Sequence, residues 1–335
     1  MSSLVSIIVV NWNGGRVFEN YLKSLSKIDY PNWELIVVDN GSEDESNELT
    51  KLIKGTKLIQ NKKNLGFARA NNQGYKRAKG KYILLLNNDT RVTRTFLTKL
   101  VSRIEEDETI GVIQPKIRMM DKPKYLDNAG SFWTWIGFLH HRGFGRRDSK
   151  EFSKEREIFS AKGAAMLVRR EVIEKVGLFD RDFVSYFEES DFCWRTWLAG
   201  WRVLFYPRAV IYHKVGFTIS RLDIGDINYH YYKNRINSLI KNLGARQLAI
   251  TFPVHIAISK GIAFVFLVRG RPKNGLMIIK ALWWNFINLK KTLRKRRRVQ
   301  GLRRVSDREI FTRLGRPADF LQFYRDFKRV ERDIG

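Results

Sequence analysis

Three clusters of short polar and acidic side chains in this sequence have the types and spacing to do chemistry. The first is Asn87-Asn88-Asp89, which closes the apolar run Tyr82-Ile83-Leu84-Leu85-Leu86. Taken alone, those three residues are turn chemistry at a strand end. A carboxylate there is also a hard oxygen ligand for a divalent cation, which keeps water and phosphate oxygens in its shell. Asn87 could add its carbonyl oxygen, and His213, at the end of another strand-like run, an imidazole, although a lone histidine is more often structural. The second cluster is Glu188-Glu189-Ser190-Asp191. Three carboxylates within four residues repel one another, and crowding raises at least one pKa, which suits a general base. Acids also match the dipole of a helix N-terminus. That reading leaves the flanks Tyr186, Phe187 and Phe192 unexplained; they suggest a partly buried wall. The third is Asn64-Leu65-Gly66-Phe67-Ala68-Arg69-Ala70-Asn71-Asn72, where a glycine turn opening a helix could bring backbone N–H groups to an anion.

The elements that must position these clusters follow from periodicity. Val5–Val10 and Trp33–Val38 are β-branched, apolar runs and read as strands. Lys57-Leu58-Ile59, Tyr82–Leu86 and Gly111-Val112-Ile113 read as three more. Between them fall helical patterns: one with Val17, Leu22 and Leu25 as inward candidates and Pro31 as its breaker, one over 43–54, one over 67–78 and one over 95–106. This β-α alternation at short spacing argues a parallel, doubly wound sheet over roughly the first 115 residues, with helices on both faces. Unbroken apolar strands suit such a sheet, and ligands bind at the carboxyl ends of its strands. Three of those ends carry polar residues: Asn11/Asn13, Asp39/Asn40 and Asn87/Asn88/Asp89. Their convergence on one sheet edge argues a ligand cleft. Beyond Pro115 the pattern is irregular. It contains a strand leading out of Ser160–Val168, a helix 170–176 ended by Gly177, a helix 192–199 capped by Ser190, and two strand-like runs, Val203–Tyr206 and Val210–Tyr212.

Composition excludes several classes. The 335 residues are 44% hydrophobic, enough for a full core. One cysteine, Cys193, rules out an internal disulfide framework and a Cys-rich zinc site, and suits a reducing compartment. No secretory signal pattern precedes the first strand. There is no Walker motif, no G-x-G-x-x-G after a strand and no G-x-S-x-G. The charge is the outlier: 62 Lys and Arg against 34 Asp and Glu give +28, which implies a polyanionic neighbour.

The motifs, in their order, resemble family 2 glycosyltransferases: Val5–Asn13, Val37-Val38-Asp39-Asn40-Gly41-Ser42, Asn64-Leu65-Gly66-Phe67, Leu84–Asp89 and Gly163–Arg195. Within that family Gly177-Leu178-Phe179-Asp180 and Tyr186–Arg195 resemble the rhamnosyltransferase-like branch. The likeness covers about residues 4–240. It implies a GT-A fold, a Rossmann-like, mostly parallel α/β sheet. It also implies a nucleotide-diphosphate sugar donor (dTDP-rhamnose or a UDP-sugar), Mg2+ or Mn2+, and inversion at the anomeric carbon. By the same resemblance Asp39 faces the nucleotide base. Asn11, Asn13, Asn40, Asn64, Gly66, Phe67 and Asn71 line the nucleoside, and Asn87 and Asn88 lie beside the diphosphate. Asn87-Asn88-Asp89 stands where the family has Asp-x-Asp, so Asp89 is the chief carboxylate and His213 its helper. Glu189 aligns with the catalytic base, with Asp191 as runner-up and Glu188 beside it.

The division expected is a catalytic domain over 1–225 and a C-terminal helical, basic, membrane-associating region over 226–335. Leu248–Val268 is apolar and long enough to cross a bilayer, but Pro253 and Lys260 interrupt it, favouring interfacial or re-entrant helices. Residues 290–304 hold nine basic and no acidic side chains, a match to anionic lipid. That placement favours a lipid-linked acceptor and a peripheral or monotopic protein at the cytoplasmic face of the cell membrane. The rivals are a sugar nucleotidyltransferase, a catalytically dead scaffold, and a nucleic-acid-binding protein. The last lacks aromatics interleaved with its basic residues, so no nucleic acid is expected.

Overall fold

The structure, a computed structural model, describes residues 2–217 and 223–318. Residues 218–222 of the expected catalytic domain and 319–335 of the expected C-terminal region lie outside the described residues. The described chain divides into two compact units. One comprises 1–131 and 141–215, the other 132–140 and 216–335.

The first unit is built on a mixed sheet. Its elements are β1 (Val5–Asn11), α1 (Gly15–Leu25), β2 (Trp33–Asp39), β3 (Lys57–Gln60), α2 (Phe67–Arg77), β4 (Tyr82–Leu86), β5 (Thr90–Val92), α3 (Phe96–Glu105), β6 (Ile110–Met119) and β7 (Leu126–Asn128). After β8 (Ser131–Thr134) and β9 (Leu139–His141) follow β10 (Arg156–Glu157), β11 (Ala165–Arg169), α4 (Arg170–Val176), α5 (Glu188–Leu198) and β12 (Arg202–His213). The strand order is β10-β12-β6-β11-β4-β1-β2-β3, with β5 on β12 and β7 on β6. Strands β4, β1, β2 and β3 run parallel, as their alternation with helices requires. Both faces are covered. Ile7, Val9, Val37 and Leu84 share a core with Phe18 and Leu22 of α1 and Phe96 and Leu100 of α3. On the opposite face Ile8 and Val38 meet α2 at Gly74, where a Cβ would lie 2.5 Å from Ile8 Cγ2, so only glycine allows that approach. Fully buried β4 shows why its sequence is an unbroken apolar run.

The structure departs from the sequence reading at several elements. The fifth strand of the expected parallel series, β6, does not pair with β4. Antiparallel β11 lies between them, bonded to both. The segment 43–54 is not a helix but a loop with one 3₁₀ turn, Glu48–Leu52. Here Ser42 and Ser46 turn their hydroxyls to Asp39 and Asn11, and such local bonds compete with a helix. The two strand-like runs after Trp201 are one strand, β12, with an irregularity between Tyr206 and Val210 at Pro207. Helix α5 begins at Glu188, not after Ser190; its N-cap is Phe187 with φ +71°, and Tyr186 before it is also left-handed.

The second unit is helical: α6 (Ile224–Asn242), α7 (Ala245–Val268), α8 (Pro272–Ile287), α9 (Leu289–Gly301), α10 (Asp307–Leu314) and the short β13 (Gly315–Arg316), which pairs with β8. The expected interruptions in 248–268 do not break the chain. α7 is one continuous helix with Pro253 inside it. At 24 residues and mean hydropathy 1.8, it is long and apolar enough to cross a membrane by length and composition.

Candidate active site

The three strand ends singled out in the sequence meet through Asn11. This side chain is fully buried at the end of β1. Its Nδ2 donates to Ser46 Oγ (2.7 Å) and to Asp39 Oδ1 (3.2 Å), and its Oδ1 accepts from Asn88 Nδ2 (2.9 Å). The parallel register Asn11↔Asp39 sets the first contact, and the β1–β4 pairing carries Asn88 alongside. Asp39 is held from its other side by the Ser42 hydroxyl, 2.5 Å away, while Ser42 Oγ accepts from the Asn13 backbone N–H. Asn13 sits at φ +49°, and its Oδ1 accepts from the Glu43 amide. A second network joins Asn40 to Asn64: Asn40 Nδ2 donates to Asn64 Oδ1 (2.8 Å), and the Leu65 amide donates to Asn40 Oδ1. Asn64 Oδ1 also receives the Gly66 amide, which fixes the turn into α2. Gly66 has φ +84°, and a Cβ there would clash with Val184, so the turn requires glycine. Phe67 stands 6.1 Å from Phe179, ring to ring. Asn71 is placed differently: it is buried in α2, its amide donating to Phe67 O. The structure therefore brings Asn11, Asn13, Asp39, Asn40, Asn64 and Asn88 together on one sheet edge and leaves Asn71 a helix-internal role.

At the end of β4 the geometry is that of an incomplete cation site. Asp89 is buried at 3% exposure. Its Oδ1 and Asn87 Oδ1 are both buried oxygens without a hydrogen-bond donor. His213 Nε2 lies 3.2 Å from Asp89 Oδ1. The contact is produced by β5, which runs antiparallel to β12 with Thr90 opposite His213. The ring is oriented from behind by a residue the sequence reading missed, Asp127 of β7, whose Oδ2 is 2.9 Å from His213 Nδ1. A carboxylate behind a histidine fixes its tautomer and aims the other nitrogen outward, the arrangement of metal-ligating histidines. Asp127 is in turn bonded by Lys162 Nζ at 2.6 Å, a second missed residue. Nothing local in the sequence marks either residue, because β7 reaches β12 only through its pairing with β6.

The charges set a condition on that reading, because a cation binding His213 must displace a proton from its ring. Burial by itself would lower the His213 pKa, but Asp89 and Asp127 outweigh it and push it up to about 9. Burial would raise Asp127, but Lys162 and then His213 hold it well below the usual carboxylate range. Among the described residues no set of three His, Cys, Asp or Glu side chains forms a closed cage. Asp89 and His213 make an open pair that a cation would complete with phosphate and water oxygens, and Asn87 Oδ1, two residues before Asp89, is buried without a donor.

The acid cluster separates into distinct roles. Asp191 is not at the site. It is fully buried, 2.9 Å from Arg195, and Arg195 also donates to the carbonyls of Val176, Gly177 and Leu178. That ion pair ties α5 to the end of α4, which takes Asp191 out of contention as the base. Glu189 is the acid of the cluster that retains access to solvent. It lies beside Gly163, where an added Cβ would be 3.7 Å from its Cδ, in ordinary contact. Burial raises its pKa, against the amides of Glu189, Ser190 and Gly163 and the charge of Lys162. Glu188 is raised further, by burial first and then by the Glu189 charge. The two carboxyls share one buried corner, and a charge on either disfavours a charge on the other.

A mixed α/β sheet with asparagine and aspartate networks at its strand ends, an Asp–His pair and a perturbed glutamate has the layout of an α/β fold that takes its ligand at the carboxyl ends of the strands. The comparisons then supply the family. Residues 6–177, half of the chain, match the model of "Glycosyl transferase family 2", and the chain belongs to that family. Poly-beta-1,6-N-acetyl-D-glucosamine synthase of Staphylococcus aureus is 24% identical over 221 residues, 65% of this chain and 52% of that protein. The chain spans about half the length of the curated relatives it matches. Among solved structures, S. aureus TarS 1-349 in complex with UDP-GlcNAc superposes with TM-score 0.58 at 16% identity, covering 90% of each chain. The Pyrobaculum calidifontis mannosyltransferase PcManGT, in complex with GDP-Man and Mn2+, gives 0.54 at 16%, covering 85% of this chain and 88% of the other. GalNAc-T7 with UDP, GalNAc and Mn2+ gives 0.58 at 20%, covering 72% and 48%. These likenesses bear out the α/β GT-A fold.

Proposed function

We propose that the protein is a metal-dependent inverting glycosyltransferase. It moves a hexose from a nucleoside-diphosphate sugar to a hydroxyl of a glycan acceptor in cell-surface polysaccharide synthesis. The observation that carries this is the pairing of Asp89 with His213 at the end of β4, backed by Asp127, on the same sheet edge as the Asn11–Asp39 network. The donors bound by PcManGT and TarS, GDP-Man and UDP-GlcNAc, support the substrate class. The Mn2+ of GalNAc-T7 and PcManGT supports a divalent cation. Asp89 and His213, with Asn87, would hold Mg2+ or Mn2+. Bound there, the cation supplies electrostatic stabilisation of the departing diphosphate.

Each residue then has a definite task. Asn11 takes no part in chemistry; it holds Asp39 toward the base and Asn88 toward the diphosphate. Asp127 and Lys162 keep the His213 ring turned to Asp89. Glu189, raised by burial yet kept ionisable by Lys162, takes the acceptor hydroxyl proton as that oxygen attacks the anomeric carbon. Beside it, burial first and then the Glu189 charge raise the Glu188 pKa well above the usual carboxylate range. The poly-N-acetylglucosamine synthase relationship makes a UDP-N-acetylhexosamine the first donor to try, and the rhamnosyltransferase-like motifs make dTDP-rhamnose the second. The acceptor proposed is lipid-linked and offered at the cytoplasmic face of the cell membrane, to which the protein is bound peripherally or monotopically.

The test is donor hydrolysis across UDP-, GDP- and dTDP-sugars, with Mn2+, with Mg2+ and with a chelator. The proposal requires release of a nucleoside diphosphate from at least one donor and its loss on chelation. Metal-independent turnover, or pyrophosphate release from a nucleoside triphosphate, would replace it with another chemistry.

A further inference from the structure

In α7 and α8 several polar side chains lie inward among apolar ones, and large apolar side chains lie outward. In α7 the buried positions recur every turn as Thr251, His255, Ser259 and Ala263, ending in Phe266. Two of them bond to the segment 132–140: Thr251 Oγ1 donates to Trp135 O, and His255 Nδ1 lies 2.9 Å from Ile136 O. In α8 the buried residues are Gly275, Ile278, Ala281 and Asn285, and Asn285 donates to the Lys233 carbonyl of α6. Asn237 of α6, also fully buried, donates to Thr292 of α9. The outward face of α8 is Leu276, Ile279, Trp283, Phe286 and Ile287, at the i, i+3, i+7, i+10, i+11 spacing of one helix face. Trp283, Phe286 and Ile287 are each more than 60% exposed, and Trp283 stacks on Phe286. Across the turn, Phe264, Val265, Leu267 and Val268 of α7 are exposed as well. Exposed apolar side chains in this number mark a binding face, and Lys280, exposed among them on α8, reaches over the Tyr229 ring.

What binds is indicated by the flanking charge. In the turn between α7 and α8, Arg269 and Arg271 are exposed, while Lys273 is paired with Asp223, and the α8 face runs directly into α9. The basic run there divides into two sets. Arg296 and Arg303 are used internally, bonding the last carbonyls of α6 at Ile240 and Asn242. Lys290, Arg294, Arg297 and Arg298 point outward with no acid among residues 289–301. Apolar residues with an aromatic pair, bounded at both ends by outward cations, match the acyl–headgroup boundary of an anionic bilayer. A second protein would need acidic residues around an apolar centre of matching shape; an anionic lipid surface provides both features without further structure. At 16 residues α8 is about 24 Å long, short of the hydrocarbon thickness. The first half of α7 is engaged in the hydrogen bonds above, which hold it against the segment 132–140.

We infer that the α7–α8 hairpin and the outward side of α9 form a monotopic seat in an anionic lipid surface, with the α8 face embedded in the plane of the interface and α9 on the headgroups. This inference deepens the membrane placement proposed above and is independent of the donor and metal site, whose tests use soluble nucleotide sugars.

The experiment is vesicle flotation of the full-length protein, using phosphatidylcholine alone and phosphatidylcholine with phosphatidylglycerol, at low and at 0.5 M salt. Wild type is expected to float with the anionic vesicles and to remain partly bound at high salt, because the apolar part of the attachment is not screened. The variant Trp283→Ser/Phe286→Gln/Ile287→Gln replaces only exposed side chains. It is expected to keep the wild-type melting temperature and to lose at least tenfold in partitioning, with the remainder abolished by salt. The variant Lys290→Gln/Arg294→Gln/Arg297→Gln is expected to lose the preference for anionic vesicles. The seat is overturned if wild type stays unbound with anionic vesicles at low salt, or if the α8 variant floats as wild type does. A lipid-free dimer that the α8 variant abolishes, with vesicle binding unchanged, would assign this face to a second copy of the chain instead.

Discussion

The two units of the chain solve opposite problems with the same twenty residues. In the first, apolar strands such as β4 are wholly buried and polar side chains gather at strand ends, where a ligand can reach them. In the second, asparagine, threonine, histidine and serine are buried between helices while Trp283, Phe286 and Val268 face outward. Burying an apolar side chain gains about 1.5–3 kcal/mol in water. That gain explains the first unit and is forgone by the exposed faces of the second. The difference teaches where each unit keeps its polar side chains: the first collects them at one sheet edge, whereas the second places several of them between helices and leaves large apolar side chains outward.

Several substitutions would break or sharpen this comparison. The largest effect is expected at Asp89. Asp89→Ala removes the carboxylate of the cation site and should lower kcat by about 10³-fold or more, the several kcal/mol a bound cation supplies. Isothermal titration with Mn2+ and a nucleoside diphosphate should show coupled binding lost. Next come Leu85→Ala and Trp283→Ser as a pair. Leu85 is fully buried in β4, and its truncation should cost about 2–5 kcal/mol in denaturant unfolding. Trp283→Ser should stay within about 0.5 kcal/mol, because the ring is exposed. Equal losses for the two would show that the outward face is packed after all. Asp127→Asn should weaken cation binding by about 10–100-fold through misorientation of His213, with the unfolding midpoint reporting separately on any structural loss.

The smallest effect is a pH displacement. Glu189 acts only when ionised, and burial holds its pKa above the usual carboxylate range. The acid limb of kcat should therefore rise through that displaced value as pH increases. Removing the positive charge that opposes the displacement, in Lys162→Met, should move the limb to higher pH. A shift to lower pH would mean that Lys162 does not face the base.

Much of this was legible in the sequence because the signals are local. An apolar run followed by Asn-Asn-Asp is a strand and its end, and the structure places both as read. The β1, β2 and β4 ends converge because parallel register follows from right-handed crossovers. Non-local pairings were hidden. That β11 enters antiparallel between β4 and β6 depends on contacts about 50 residues or more distant in sequence. Asp127 and Lys162 carry no motif, and only the β6–β7 and β6–β12 pairings bring Asp127 behind His213. Asp191 looked like a base because it sits in an acid cluster; its partner Arg195 lies one helical turn on, and the ion pair is the i,i+4 contact that spacing allows. The C-terminal helices were legible as apolar segments followed by a basic run, but not which face turns outward.

The account rests most directly on Glu189. The decisive measurement is single-turnover sugar transfer by Glu189→Gln beside its donor affinity under the same metal conditions. The amide keeps the size of the side chain and removes its basicity. The account predicts donor affinity within about threefold of wild type and transfer reduced by about 10²–10⁴-fold. Wild-type turnover in Glu189→Gln would contradict it and would place the base elsewhere.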